Sequence, residues 1–286
     1  MTGRGRRLPV DYDGLHRKYP GYMRGSRFAR LSALLVFVAL FGLLIFALGR
    51  FEFSFARIAY GMQRLGEFAR LMFPPNPGTQ LHLYLKGMGE TLAMAFLGTL
   101  IAAALAFPIG LAAARNVLPN FLAHFLIRRG MDTVRSVDTL IWALIWINVV
   151  GLGPFAGVLA IASTDVGALA KLFSETIENV DRKAEDGVIA CGGGVLARIR
   201  FGLLPEALPV MASQILYFIE SNTRSATIVG IVGAGGIGLY ITESIRTLDW
   251  DKAAFIIILI LITVAAIDFI SSRLRLAIIG TRAAPL

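Results

Sequence analysis

Glu220 and Arg224 stand four residues apart, with Ser221 and Asn222 between them, in a stretch otherwise apolar enough to lie in a membrane. An acid followed by a base at this spacing shares one face of a helix, so the two can meet there. Burying an ionisable side chain in hydrocarbon costs about 2.5–3.5 kcal/mol on insertion scales unless a partner or water relieves it. Two readings follow. The face of Glu220, Asn222 and Arg224 lines a translocation path or gate, or the pair is a structural tie between two crossings. Asp165, beside Ser163 and Thr164, either faces a polar path or marks a misplaced crossing. Asp138 with Arg135 reads as a solvated helix end near a membrane boundary.

Other chemistries find little support. Gly233-Ala-Gly235-Gly236-Ile-Gly238 matches G-x-G-x-x-G and follows the strand-like Ile228-Val-Gly-Ile-Val232. A dinucleotide site also needs a βαβ unit and an acidic residue about twenty positions on, and neither is convincingly present. Gly233, Gly235, Gly236 and Gly238 read instead as a glycine-rich helix break or a close helix approach. No G-x-x-x-x-G-K-[ST] occurs, so energy from a nucleoside triphosphate would have to come from another subunit. The single cysteine, Cys191, and the scattered His16, His82 and His124 offer no metal-ligand pattern. No nucleophile with a base partner is evident, which points away from an enzyme.

The elements that must position these residues follow from long uncharged runs. Of 286 residues 56% are hydrophobic and 16% charged, with a mean hydropathy of +0.68. A helix crossing a hydrocarbon core needs roughly 20 apolar residues, and backbone in lipid must satisfy itself as a helix or closed barrel. The runs lack the alternation of a barrel, so the fold class is all-α integral membrane with about six transmembrane helices. The crossings are read as Leu31 to Gly49, Gly89 to Ala113, Val134 to Val150, Pro154 to Leu172, Leu208 to Ile231, and Ala253 to Ser272.

The formal charge of +9 could suggest nucleic acid, but the placement of the cations argues for a lipid bilayer and against nucleic acid. Arg4, Arg6, Arg7, Arg17, Lys18, Arg24, Arg27 and Arg30 all precede the first run. Arg115, Arg128, Arg129, Arg135 and most later cations fall on the same side under the positive-inside rule, which places both termini in the cytoplasm. The first run is read as an uncleaved anchor rather than a signal peptide, being long and without a small-residue cleavage site. Phe55, Ile58, Met62, Leu65, Ala69 and Met72 recur at helical spacing opposite Arg57, Tyr60 and Arg64. They form an amphipathic helix that lies on the outer membrane surface or packs on the crossings, closed by Pro74, Pro75 and Pro77. The chain thus divides into a tail at 1–30, a first crossing with an external segment at 31–86, a core at 87–275, and a second tail at 276–286.

Between the fourth and fifth crossings, Asp186-Gly-Val-Ile-Ala-Cys-Gly192 is followed, after eleven intervening residues, by Leu204-Pro205, with Arg198 and Arg200 between. This reads as a short helix, a glycine turn, an amphipathic stretch, and a proline suited to the first turn of the next helix. It either projects a helix for another protein to grip or is a solvated connecting loop.

That spacing resembles the cytoplasmic loop of binding-protein-dependent ABC importer permeases, here with aspartate in place of glutamate and Gly187-Val188 in place of an alanine pair. The chain is most similar to phosphonate importer permeases. The stretches that carry this are Gly89-Glu-Thr-Leu-Ala-Met-Ala-Phe-Leu-Gly-Thr99, Gly151-Leu-Gly-Pro-Phe-Ala-Gly157, and the run from Glu220 to Gly238. The resemblance implies a type I ABC transmembrane fold in a bacterial cytoplasmic (inner) membrane. It implies a core of two permeases, this chain with a second copy or a paralogue, and an external phosphonate-binding protein. It also implies two ATP-binding subunits, which use ATP and magnesium while this chain binds no cofactor. Asp186, Gly192, Arg198, Arg200, Leu204 and Pro205 would then form the ATPase-coupling loop. Its motion would turn the crossing that carries Glu220 and Arg224, and Arg224 would give an anionic substrate transient charge complementarity. The substrate expected is phosphonate or a related phosphorus oxyanion, such as phosphite or a phosphate ester. The rival is an ion-driven secondary transporter of a small anion, which would often carry internal repeats; no convincing repeat is found.

Overall fold

The computed structural model describes residues 27–51, 54–118 and 120–280. The basic tail before residue 27 and the second tail beyond residue 280 lie outside the described residues. Contacts divide the chain into two compact units between Glu67 and Phe68.

The first unit contains α1 (Arg27–Arg50) and most of α2 (Phe55–Leu71). Leu31–Arg50 is apolar on every side and almost wholly exposed, as a helix surrounded by lipid would be. In α2, apolar Phe55, Ile58, Met62 and Leu65 recur on one side while Arg64 donates to the Tyr60 hydroxyl at 2.8 Å. The amphipathic period read from the sequence is therefore folded as a helix.

The second unit is a helical bundle. It runs through α3 (Leu81–Ala113), α4 (Phe121–Arg135), α5 (Thr139–Val150), α6 (Pro154–Glu178) and α7 (Arg182–Ala190). It continues with α8 (Val195–Ala197), a π-helical segment Arg198–Leu203, α9 (Leu204–Val229), a second π-helical segment Gly230–Ala234, α10 (Ile237–Arg246) and α11 (Trp250–Gly280). Among the described residues five helices are long and apolar enough to cross a membrane, or six if the bent pair α4–α5 counts as one span.

The α3–α6 pair is the spine. Gly98, Ala102, Ala106 and Gly110 repeat every fourth residue on α3, leaving a shallow groove in which α6 lies. A β-carbon at Gly98 would come within 2.8 Å of Ile161, and one at Gly110 within 2.8 Å of Phe173. With no hydrophobic drive between helices in lipid, close approach through small residues supplies the packing. Ala102, Ala106, Leu169 and Ala170 are fully buried at this seam.

The third crossing, read as one helix from Val134 to Val150, is corrected. α4 and α5 meet at an 83° bend around residues 136–138. Asp138 stops any straight continuation by capping α5, its Oδ1 accepting the Leu140 N–H at 2.9 Å. Two charges of α4 are met by α6: Arg128 pairs with Glu178 at 2.9 Å and Lys171 with Asp132 at 3.1 Å. Gly167, midway along α6, admits the end of α4, since a β-carbon there would be 2.7 Å from the Met131 carbonyl oxygen.

Candidate functional site

Two clusters of polar residues are joined by one helix. At its lower end is the segment from Asp181 to Pro205. Asp181 caps α7, accepting the Lys183 N–H at 3.2 Å. That backbone hydrogen bond, followed by the Lys183 ammonium, holds the Asp181 carboxyl below the usual carboxylate range. Glu185 turns inward, 8% exposed, and meets Arg198 Nη2 at 2.8 Å. Arg198 also donates to the Asn116 carbonyl at 3.0 Å, and the Asn116 amide donates to the Ile177 carbonyl at 2.8 Å. These contacts bolt the loop to the ends of α3 and α6. Gly202 lets the returning limb of the loop pass close, because a β-carbon there would sit 3.0 Å from the Glu185 α-carbon. Gly192 takes the left-handed turn after α7, with φ of 79°.

Asp186 and Arg200 point outward, Arg200 lying over the Phe201 ring at 5.5 Å. Around them Leu196 and Phe201 are exposed apolar side chains at the tip. Leu204 and Pro205 begin α9 directly after the π-helical segment. The sequence spacing singles out Asp186. The acid that builds the loop is its neighbour Glu185, and the only sequence signal for it is a facing arginine thirteen residues on.

The second cluster lies along α9. Glu220 does not pair with Arg224. Its Oε2 stands 2.8 Å from Nη1 of Arg275 on α11, and neither atom finds aligned hydrogen-bond geometry. The expected i,i+4 pair loses because Glu220 faces the helix packed beside it, where it is 8% exposed, while Arg224 lies on the exposed flank. Asn222 is buried between three helices. Its amide donates to Thr99 Oγ1 of α3 at 2.8 Å and to Asp165 Oδ2 of α6. Thr99 in turn donates to the Ala95 carbonyl at 2.7 Å, so both amide protons of Asn222 and the hydroxyl of Thr99 are used. Asp165 thus belongs inside the fourth crossing as a buried partner, and Thr99 and Arg275 are members of the cluster that no local spacing announced. A cavity of about 140 Å³ lined by Asp138, Thr139, Ser225 and Ile228 connects this part of α9 to the α4–α5 bend.

Above it the helix breaks. Gly233, Gly235 and Gly236 have φ of 105°, 79° and 72°, and Gly238 abuts the Gly230–Ile231 backbone so closely that a β-carbon would lie 2.8 Å from it. The free amides at the start of α10 are satisfied by α3: Gly236 donates to Glu90 at 3.2 Å and Ile237 to Thr91 Oγ1 at 2.9 Å. Chemically the site presents the guanidinium of Arg224, which has no ion pair among the described residues, on a helix flank, and a set of interhelical polar ties. Among the described residues no group of His, Cys, Asp and Glu could hold a metal.

Residues 106–279 match the family described as binding-protein-dependent transport system inner membrane component. HtxC of Stutzerimonas stutzeri, provisionally named a phosphite transport system permease protein, is 41% identical over 81% of this chain and 82% of its own. PtxC of the same organism, a phosphite transport system permease protein, is 33% identical over 75% of this chain and 78% of its own. The phosphate-import permease protein PhnE of Mycolicibacterium smegmatis is 37% identical over 74% of this chain but 40% of its own. Among solved structures, an inward-facing form of the MetNI methionine ABC transporter superposes with a TM-score of 0.62 at 22% identity, over 70% of this chain and 97% of that one. The fold is that of a type I ABC importer permease, and the chain belongs to the binding-protein-dependent transport system inner membrane component family.

Proposed function

We propose that this chain is the membrane-spanning permease subunit of an ATP-driven importer for a phosphorus oxyanion of the phosphonate or phosphite class. The observation that carries the reading is mechanical. The helical run that starts at Val195 continues through α9 to the glycine break at Gly233, so the segment of Arg198 and Arg200 passes directly into the helix that bears Glu220, Asn222 and Arg224. Two ATP-binding subunits grip the outward face of Asp186 and Arg200 and hydrolyse magnesium-bound ATP, and a second permease, identical or related, completes the core. An external binding protein delivers the anion on the far side, where α10 and the glycine break lie, and both termini are cytoplasmic. The oxyanion substrate follows the names of the permeases that are more than 30% identical over most of this chain.

Arg224 lines the path and meets the anion in transit. Arg224→Gln is expected to lower phosphite uptake by the assembled transporter about tenfold at unchanged membrane level, equivalent to about 1.4 kcal/mol of lost transition-state stabilisation. Uptake equal to wild type, measured in proteoliposomes holding the whole complex, would remove Arg224 from the path.

A further inference from the structure

Glu220 is placed to reach two arginines. Arg275 on α11 holds it here, at 2.8 Å, but by proximity rather than by aligned hydrogen bonds, since the contacting oxygen and nitrogen are both fully buried and unbonded in that sense. Arg224 lies one turn further along α9, on its exposed flank. An acid four residues before a base is the favourable order for pairing on one helix. Arg224 has no ion pair among the described residues. A second polar link between α9 and α11 is a single hydrogen bond from the Ser271 hydroxyl to the Leu216 carbonyl at 3.2 Å.

We propose that Glu220 exchanges arginines during transport: it pairs with Arg275 in this conformation, leaving Arg224 charged toward the path, and pairs with Arg224 when α9 turns away from α11. The proposal rests on the reading that Arg224 lines the path. A buried carboxylate left without a cation is strongly unfavourable, so once α9 separates from α11 the nearest free guanidinium captures it. That capture cancels the positive charge the oxyanion had met. One carboxylate therefore couples a helix rotation to a change in anion affinity, which is what a directional carrier needs: a ligand shifts an equilibrium only by binding its two states differently. No bond is made or broken; one ion pair replaces another.

The test uses the complete complex, with ATPase and binding protein, in proteoliposomes supplied with phosphite. Glu220→Gln and Arg224→Gln are each expected to lower ATP-driven uptake about tenfold. In the exchange scheme the harm of Glu220→Gln is that the Arg224 charge is never cancelled, so E220Q/R224Q loses no more than the worse single variant. Losses that multiply, about a hundredfold in the double, would mark independent sites and overturn exchange. A second variant, the charge swap E220R/R275E, separates stability from transport. It is expected to restore the melting temperature lost in Arg275→Glu while uptake stays low, because a guanidinium at position 220 repels Arg224 instead of pairing with it. Recovery of both would overturn exchange and make the pair a static tie. If Arg224→Gln alone leaves uptake unchanged, it is the path reading that fails, and exchange falls with it.

Discussion

Glu185→Ala is expected to uncouple the permease from its motor. The carboxylate is the inner half of the ion pair that closes the loop, and its loss leaves Arg198, among the described residues, attached to the Asn116 carbonyl alone. Breaking a buried pair costs about 3–5 kcal/mol, and because Arg198 is partly exposed, about 3 kcal/mol is the reasonable figure here. Because α8 and the π-helical segment run directly into α9, a loosened loop no longer transmits motion along the rod. We expect ATP-driven uptake to fall more than about tenfold, with weaker retention of the ATPase on co-purification. Asp186→Ala, one residue along on the exposed side, is expected to weaken ATPase retention while leaving the melting temperature of the permease unchanged. Equal melting losses in the two variants would show that the inward and outward roles have been misassigned.

Asn222→Leu is expected to have the largest effect on assembly. It strands the Asp165 carboxyl and withdraws the donor that Thr99 accepts, at a junction of three helices. Each unsatisfied buried polar group costs about 1–3 kcal/mol, and a carboxyl in a membrane interior lies at the costly end. Little folded protein should be recovered, as read by size-exclusion chromatography in mild detergent. The double variant N222L/D165L, which replaces both partners with apolar groups, should recover most of the folded yield. A folded, thermally unchanged Asn222→Leu single variant would contradict the buried cluster.

How much of this is legible beforehand varies with the range of the interaction. Helices α3, α6, α9 and α11 can be read from long, predominantly apolar runs because burial in lipid depends on composition. The bend at residues 136–138 cannot, since α4 carries His124, Arg128, Arg129, Asp132 and Arg135 and looks too polar to belong to a span. Two of these charges, Arg128 and Asp132, are met from α6 by Glu178 and Lys171. Asp138 holds the missed signal: an acid two residues before an apolar run is a helix cap as readily as a solvated end.

At the candidate site, sequence spacing and three-dimensional packing give Glu220 different partners. Spacing offers Arg224 to Glu220, but the partner seen lies on another helix, and Arg275 is visible only once α11 packs on α9. Asp165 is ambiguous for the same reason, its donor being fifty-seven residues away. In the loop, the family-like spacing favours Asp186, whereas burial separates it from Glu185 by a single position.

Whether the helical run from Val195 to the break at Gly233 links an ATP-driven motor to an oxyanion path is tested most directly by reconstitution. The chain is placed in proteoliposomes with and without its ATPase and binding protein, and phosphite entry is followed. Entry is expected only when ATPase, ATP and binding protein are all present, unaffected by collapsing ion gradients, and lost in Glu185→Ala. Phosphite accumulation by the chain alone, driven by a proton or sodium gradient, would contradict the link.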